Sequence, residues 1–244
     1  MNILMLMMAG SGTRFGADIP KQFVRVHGRP VFSYILEAYD RNPDIDRIAI
    51  VTHKNWVDYV KMWKRRMHAD KLFTVTVGGA TRSESVKNGL TSIHDFASDD
   101  DIILLHDATH PYMDAEGTRG VIEGVKQYGG ATLGQFQYDT VYQMNEDTHI
   151  LERVVKRSTI VSGASPEAFL YGDLYRIYTT ASIEELESMT SAGAIALHNG
   201  IQMQVVPANV VNLKITYKND MDVFREMRHK YFPDAGDYSN DEDY

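Results

Sequence analysis

Residues 3–16 read ILMLMMAGSGTRFG, an apolar run that ends in a glycine-rich turn. The run Ile3–Met8 is typical of a strand that is buried on both faces of a parallel sheet. Glycine after such a strand lets backbone N–H groups approach phosphate oxygens. The alternative is that the turn is no more than a tight connection from the strand to a helix. The spacing is not the dinucleotide fingerprint, because Phe15 stands where that pattern needs its third glycine. The nearby cations Arg14 and Lys21 favour a polyphosphate ligand.

Beyond this stretch, short β-rich runs alternate with amphipathic runs, the pattern of an α/β fold in which helices connect parallel strands. The predicted strands of the first part are Ile3–Met8, Arg47–Thr52, Leu72–Val77, Ile102–His106 and Ala131–Phe136. The predicted helices between them are Pro30–Tyr39, Asn55–Met67, Arg82–Phe96 and Asp114–Tyr128. The later predictions are helices at Pro166–Thr179 and Ile183–Ala196, strands at Gln202–Val206 and Val211–Ile215, and a last helix at Asp220–Tyr231, capped by Asn219 or Asp220.

Two segments depart from this alternation. Gln137–Ile160 is too polar for a core strand and too rich in β-branched residues for a helix, which indicates a protruding hairpin or arm. The last eleven residues, 234–244, hold five acids and no base. That composition is typical of a solvated, disordered tail rather than of a docking segment. The sequence therefore predicts one domain over residues 1–232, with the arm at about 137–160, and an acidic tail over 233–244.

Composition excludes several classes of protein. The 244 residues include 25 basic and 33 acidic side chains, a net charge of −8, whereas a general nucleic-acid binder needs a cationic surface. There is no cysteine, which rules out disulfides, thiolate metal sites and cysteine nucleophiles. The nine histidines show no zinc-binding spacing. The run Ile3–Ala9 is too short to span a bilayer and follows no basic residue, so we expect a cytoplasmic protein without membrane contact.

Two further motifs follow predicted strands. Gly78-Gly79 leads into Ala80-Thr81-Arg82-Ser83-Glu84-Ser85-Val86 at a predicted helix start. This repeats the loop-then-helix geometry of the first motif, although Thr81 or Ser83 could simply cap the helix. In His106-Asp107-Ala108, the aspartate suits a metal or a ribose hydroxyl, or else caps the next turn. Because ligands of open α/β sheets bind beyond the carboxyl ends of the strands, we expect all three motifs at one sheet edge.

Together these motifs resemble the cytidylyltransferase family that includes the methylerythritol phosphate and ribitol 5-phosphate enzymes. The resemblance covers nearly everything before the acidic tail. It rests on Ala9-Gly10-x-Gly12-x-Arg14 with Pro20-Lys21-Gln22, Gly78-Gly79-x-x-Arg82-x-x-Ser85-Val86, His106-Asp107-Ala108, Asp139-Thr140 and Asn212-Leu213-Lys214-Ile215-Thr216. It implies a Rossmann-like, mostly parallel sheet flanked by helices, with the arm exchanged across a two-fold homodimer. Trp56 and Gly163 look more like the ribitol phosphate branch.

The resemblance also implies a reaction, in which an alditol phosphate attacks the α-phosphorus of CTP and pyrophosphate leaves. The implied cofactor is Mg²⁺ or another divalent cation. The implied catalytic residues are Arg14, Lys21 and Lys214, whose charges would offset the approach of two anions. The implied CTP-binding residues are Ala9, Gly10, Ser11, Gly12, Thr13, Gly79, Ala80, Arg82, Ser85, Asp107 and Ala108, and Asp107 is also the implied metal ligand. The implied acceptor-binding residues are His110, Thr140, Arg157 and Thr190.

The sequence departs from the family pattern on the acceptor side. His110 stands where the family usually has arginine, and a histidine is shorter and only partly charged near neutral pH. Tyr142 replaces a lysine, Glu167 replaces a glutamine, and Ser191 replaces an acidic residue. We interpret these changes as a sign of an altered acceptor polyol rather than of a dead enzyme.

Three functions therefore compete. The first is synthesis of CDP-ribitol or a related CDP-alditol for a surface polymer. The second is the isoprenoid reaction on methylerythritol phosphate, which shares the CTP half of the site. The third is a CTP-binding protein without turnover, which the missing arginine and lysine would support.

Overall fold

The computed structural model describes residues 1–10, 15, 19–236 and 238. Its strands are β1 (Asn2–Met8), β2 (Arg25–Val26), β3 (Arg29–Pro30), β4 (Arg47–Thr52), β5 (Leu72–Val77), β6 (Ile102–Asp107), β7 (Gly129–Phe136), β8 (Val141–Met144), β9 (Leu151–Val155), β10 (Val161–Leu170) and β11 (Gln202–Pro207). Within these residues, seven strands form one sheet in the order β11-β7-β10-β6-β1-β4-β5, and β2-β3 and β8-β9 form two small hairpins. The large sheet is parallel except for β10, which is antiparallel to β6 and β7.

Helices cover both faces of this sheet. They are α1 (Val31–Asp40), α2 (Val57–Met67), α3 (Arg82–Ser92), α4 (Ala115–Tyr128), α5 (Tyr171–Thr180), α6 (Ile183–Glu187), α7 (Ala192–His198) and α8 (Lys218–Tyr231). Leu4 and Leu6 of β1 pack with α1, α2 and α4 on one face. Ile3 and Met5 pack with α3, α5 and α7 on the other. Because β1 is covered on both faces, its sequence is apolar without alternation, which is the pattern that predicted a central parallel strand.

The first half of the chain follows the sequence prediction closely. Strands β4 and β5 have the predicted bounds, β6 extends one residue further to Asp107, and β7 begins two residues earlier at Gly129. Helix α3 ends at Ser92 rather than at Phe96. These differences move no motif from one end of a strand to the other, so the α/β architecture is confirmed.

The predicted helix Pro166–Thr179 is wrong over its first five residues. The segment 166–170 belongs to β10, and the helix α5 begins only at Tyr171. Ala168 pairs with Leu104 of β6 on one side and with Ala131 of β7 on the other. Its side chain is fully buried. Neighbouring strands on both sides thus override the helical spacing of the sequence.

Three further predictions need correction in the second half. The predicted helix Ile183–Ala196 is two helices, α6 and α7, because the Ser191 side chain accepts a hydrogen bond from Ala194 N and starts a new helix. The predicted strand Val211–Ile215 is an extended loop without strand pairing. Helix α8 begins at Lys218, before either predicted cap, and Asp220 instead accepts bonds from Thr216 N and Tyr217 N.

The arm and the tail lie outside the large sheet. Strands β8 and β9 form a separate antiparallel hairpin, so the predicted hairpin over this segment is confirmed. In the tail, Tyr238 N donates to the His27 carbonyl at 3.1 Å, and the Tyr238 ring packs against Trp63 at 5.6 Å between centroids. Residues 237 and 239–244 lie outside the described part of the chain. The division into one domain and a disordered tail stays a prediction.

Candidate active site

A cleft of about 600 Å³ opens at the carboxyl ends of β1, β4, β5 and β6. Eight of the residues singled out in the sequence line it, namely Ala9, Gly10, Lys21, Gly79, Ala80, Arg82, Ser85 and Asp107. They come from three motifs that are far apart in the chain, and parallel strands bring them together because their carboxyl ends share one edge. The candidate residues Ser11, Gly12, Thr13 and Arg14 lie outside the described residues.

The backbone after β1 is held by a side chain to which the sequence analysis gave no role. Gln22 is buried, and its Nε2 donates to the Met8 carbonyl at 2.8 Å and to the Gly10 carbonyl at 2.9 Å. No atom of the residues that the structure describes lies within 4 Å of a Cβ built on Gly10, which lines the cleft. Lys21 is fixed beside it because Gln22 and the buried Phe23 share one short 3-10 turn. The only signal for Gln22 in the sequence is its place directly after Lys21.

The loop after β5 is closed by its own side chains. Ser85 Oγ donates to the Thr81 carbonyl at 2.7 Å and accepts from Gly79 N at 3.1 Å, and Glu84 accepts from Ala80 N at 2.6 Å. Thr81 also caps α3 by accepting from Glu84 N, so the capping alternative is correct for Thr81. The hydroxyl of Ser85 thus already supports the loop that lines the cleft.

Gly78 lets this loop approach the one after β1. A Cβ at Gly78 would lie 2.4 Å from the Ala9 Cβ and 2.7 Å from Ser85 Oγ, distances that real Cβ atoms do not show. The two loops can therefore meet only because residue 78 has no side chain.

Asp107, at the end of β6, lies between two cations. Arg82 Nη2 is 3.2 Å from its Oδ1, and Lys214 Nζ is 3.5 Å from its Oδ2. Burial raises the pKa of Asp107, but Arg82 and Lys214 lower it more, so its pKa lies below the ordinary value. Lys214 reaches this point because Ile215 N donates to the Thr109 carbonyl at 2.8 Å, which fixes the 211–215 loop beside the end of β6.

Residues on either side of Asp107 hold the strand end in place. Ala108 is buried and its N–H donates to the Met7 carbonyl at 2.9 Å, so its own groups face the protein. His106 is also buried, with Nε2 2.8 Å from the His110 carbonyl and Nδ1 3.0 Å from the Tyr39 hydroxyl. A carbonyl only accepts, so His106 carries its proton on Nε2 and accepts at Nδ1.

The acceptor-side residues are not gathered in the cleft of one chain. His110 lies next to it, with Nδ1 2.7 Å from Ser165 Oγ, and burial lowers the pKa of His110 to about 3. The expectation of partial charge is therefore corrected, because His110 is neutral near pH 7. Thr140, Arg157 and Thr190 are exposed and do not line the cleft. Arg157 donates to the Tyr138 carbonyl within the arm.

The structure places Glu167, which stands where the family has a glutamine, beside Arg82. Its Oε2 is 3.9 Å from Arg82 Nη2, and its Oε1 accepts from Gly193 N at 3.0 Å. Burial raises the pKa of Glu167 although Arg82 lowers it. His53, after β4, and Thr109, after β6, also line the cleft and were missed, because a single polar residue after a strand is common in any α/β fold.

Asp107 is the carboxylate that could hold a divalent metal. No group of three or more His, Cys, Asp or Glu side chains suited to a metal occurs among the described residues. Magnesium in nucleotide-binding sites usually takes only one or two carboxylates and completes its shell with phosphate oxygens and water. Asp107 fits that donor set, since each of its oxygens faces a single cation and keeps a lone pair. No described helix is long and apolar enough to cross a membrane.

Comparison with known proteins gives consistent matches. The family model described as "IspD: 2-C-methyl-D-erythritol 4-phosphate cytidylyltransferase" matches residues 2–226. The 2-C-methyl-D-erythritol 4-phosphate cytidylyltransferase of Petrotoga mobilis is 30% identical over 218 residues, 89% of this chain and 94% of the relative. The ribitol-5-phosphate cytidylyltransferase of Lacticaseibacillus paracasei is 28% identical over 222 residues, 90% of this chain and 94% of the relative. The crystal structure of the Francisella tularensis 2-C-methyl-D-erythritol 4-phosphate cytidylyltransferase superposes with a TM-score of 0.72 at 26% identity, covering 91% of this chain and 98% of that one.

Proposed function

Because the chain belongs to the 2-C-methyl-D-erythritol 4-phosphate cytidylyltransferase family of CTP-dependent nucleotidyltransferases, we propose that it transfers CMP from CTP to ribitol 5-phosphate or a related alditol phosphate. The products are a CDP-alditol and pyrophosphate. The observation that carries this proposal is the convergence of Lys21, Arg82, Asp107 and Lys214 at one sheet edge. That arrangement supplies fixed positive charge where a polyphosphate would lie.

The chemistry needs no protein nucleophile. An oxygen of the acceptor phosphate forms a bond to the α-phosphorus, and the bond from that phosphorus to the oxygen bridging to the β-phosphorus breaks. The electron pair leaves with pyrophosphate. A phosphate monoester has its second pKa near 6, so the attacking oxygen is already anionic and no strong general base is required. The task of the protein is to hold two anions together, which we assign to Lys21, Lys214 and Arg14.

We propose the remaining roles on the same basis. Backbone groups of residues 9–13 and 79–80 and the side chains of Arg82 and Ser85 bind CTP, with Ala108 supporting the end of β6. Mg²⁺ would be held by Asp107 and the phosphates of CTP, and when bound it neutralises charge on the phosphoryl oxygens. Arg82 and Lys214 would then orient the Asp107 carboxylate from both sides.

The residues that differ from the family pattern are those assigned to the acceptor side, so we expect them to determine which alditol phosphate is used. A neutral His110 can form a hydrogen bond with the substrate that accepts CMP, but it carries no charge. It therefore suits a hydroxyl group of that substrate better than its phosphate. This supports a polyol other than the family's usual one. The methylerythritol phosphate reaction is the second candidate, because a relative with that name matches at 30% identity against 28% for a ribitol phosphate relative.

We further propose a homodimer that works in the cytoplasm. The β8-β9 hairpin exposes the apolar side chains of Tyr142, Ile150, Leu151 and Val154, and a group of exposed apolar side chains is typical of a protein–protein contact. Pairing of two arms would cover this surface. It would also bring Thr140 and Arg157 of one arm to the acceptor side of the partner, where a single chain lacks them.

The test is pyrophosphate release from CTP and Mg²⁺ with ribitol 5-phosphate, methylerythritol phosphate and other alditol phosphates as acceptors. We expect the highest kcat/KM with ribitol 5-phosphate or a close relative. Preference for methylerythritol phosphate would select the second candidate, and CTP binding without release of pyrophosphate with any acceptor would mean that the chain is an inactive relative.

Lys21→Ala and Lys214→Ala should each lower kcat by roughly 10²–10³-fold without changing Tm. Lys218→Ala, at an exposed lysine in the next helix, is the matched control.

A further inference from the structure

Glu167 lies in the middle of the sheet, where its carboxylate contacts both Arg82 and the start of α7. It lies in β10 opposite Leu105 of β6, two residues before Asp107 on that strand. Its side chain is only 17% exposed. A buried carboxylate is costly unless it is paired, so its partners identify what it does.

The first partner is Arg82, which Glu167 shares with Asp107. The nitrogen Nη2 of Arg82 is 3.2 Å from Asp107 and 3.9 Å from Glu167. Burial lowers the pKa of Arg82, but the two carboxylates raise it more, so its pKa lies above the ordinary value and the guanidinium stays charged. Two anionic contacts on different strands fix the position of this guanidinium better than one contact would.

The second partner is the start of α7. The other oxygen of Glu167 accepts from Gly193 N at 3.0 Å, and a Cβ at Gly193 would lie 2.6 Å from that oxygen. The N-terminal turn of α7 is therefore packed directly on the carboxylate.

We propose that Glu167 is a positioning residue that holds the Arg82 guanidinium in place for CTP by tying it to the start of α7. This inference rests on the proposed cytidylyl transfer. A glutamine in this place could keep an oxygen on Gly193 N, but its amide NH₂ would then face the Arg82 guanidinium, and two donors do not pair.

The two bonds can be separated by two variants. Glu167→Gln should raise KM for CTP about tenfold and leave KM for the acceptor within twofold, because a charge-assisted contact to Arg82 is lost and the Gly193 contact is kept. Glu167→Ala should raise KM for CTP about tenfold or more. Glu184→Gln removes an exposed carboxylate from α6 and is the control for the change of charge.

Calorimetric titration of CTP separates this inference from the proposed function. If the wild type binds CTP but releases no pyrophosphate with any acceptor, the proposed function fails, while weaker CTP binding by Glu167→Gln still supports the contact to Arg82. If the wild type is active and both variants keep KM for CTP within twofold, the inference is wrong. Equal loss for both substrates in Glu167→Gln would also overturn it, because a purely structural role predicts that result. Should Glu167→Ala not fold, the near-isosteric glutamine variant decides alone.

Discussion

At the scale of single residues, alanine substitutions at Gly78 and Gly10 make a matched pair of variants. Gly78→Ala should lower the free energy of unfolding by about 1–3 kcal/mol, because the new Cβ would overlap Ala9 and Ser85. Gly10→Ala should change stability less, because no described atom lies within 4 Å of its Cβ, but it should weaken CTP binding because Gly10 lines the cleft. Urea denaturation and calorimetry of CTP measure the two effects. Equal stability losses in both variants would contradict this assignment of contacts.

The buried His106 predicts how stability depends on pH. Burial lowers the pKa of His106 from 6.5 to about 4, so between these values the unfolded chain binds a proton that the folded chain does not. Protonation in this range favours unfolding, and stability falls as the pH falls. From pH 7 to pH 5 the loss from His106 should be about 2 kcal/mol.

His106→Gln tests this assignment. In metal-free protein it should remove about 2 kcal/mol of the fall in unfolding free energy between pH 7 and pH 5, while a similar contribution from His110, whose pKa is also lowered, remains. His229→Gln, at an exposed histidine of α8, is the matched control. If His106→Gln keeps the full pH slope of the wild type, another group is responsible for it.

The sequence predicts those site residues that belong to the motifs at the carboxyl ends of β1, β5 and β6. Lys21, Gly79, Arg82 and Asp107 are in this class, and the topology of a parallel sheet brings them to one edge. It names Glu167 only as a departure from the family pattern and does not predict its contact to Gly193, because that contact joins residues 26 positions apart within the second half of the chain. Contacts of this kind depend on strand order, which the local sequence pattern does not contain.

At the scale of elements, β10 and the 211–215 loop show the same limit of prediction from the local sequence pattern. The segment 166–170 reads as the start of a helix, but pairing with β6 and β7 makes it a strand. The segment 211–215 reads as a strand, yet it pairs with no strand among the described residues and forms the loop that carries Lys214. Intrinsic preference decides only where the tertiary environment leaves a choice.

The arm yields a prediction about assembly. Tyr142 of β8 pairs with Val154 of β9, and the two side chains are 52% and 65% exposed. Val154→Lys should convert the proposed dimer into a monomer, because a charge would be buried in an apolar contact. Sedimentation equilibrium measures the change.

Val223→Lys makes the same substitution at an exposed valine of α8 and should leave the oligomeric state unchanged. In the Val154→Lys monomer, KM for the acceptor should rise more than KM for CTP, since Thr140 and Arg157 would no longer reach the partner. A wild type that is monomeric at all concentrations would refute the proposed exchange of arms.

At the scale of the whole molecule, the charge of the chain and the charge of the cleft have opposite signs. The net charge is −8, yet Lys21 and Arg82 line the cleft and Lys214 lies beside Asp107 at the same sheet edge. Local positive charge in a negative protein draws an anionic ligand to one place rather than to the general surface. Binding should therefore weaken as ionic strength rises, and it should be confined to one site per chain.

This predicts a specific thermal stabilisation by the nucleotide. A ligand that binds only the folded state at one hundred times its Kd adds about 2.7 kcal/mol to the free energy of unfolding. For a chain of 244 residues this corresponds to an increase in Tm of about 5–11 °C. We expect that increase with CTP and Mg²⁺, a much smaller one with ATP, and a reduced one in Lys21→Ala, measured by differential scanning calorimetry. An equal increase with CTP and ATP would mean that the cleft recognises phosphate alone, and that the loop at 78–85 does not distinguish the base.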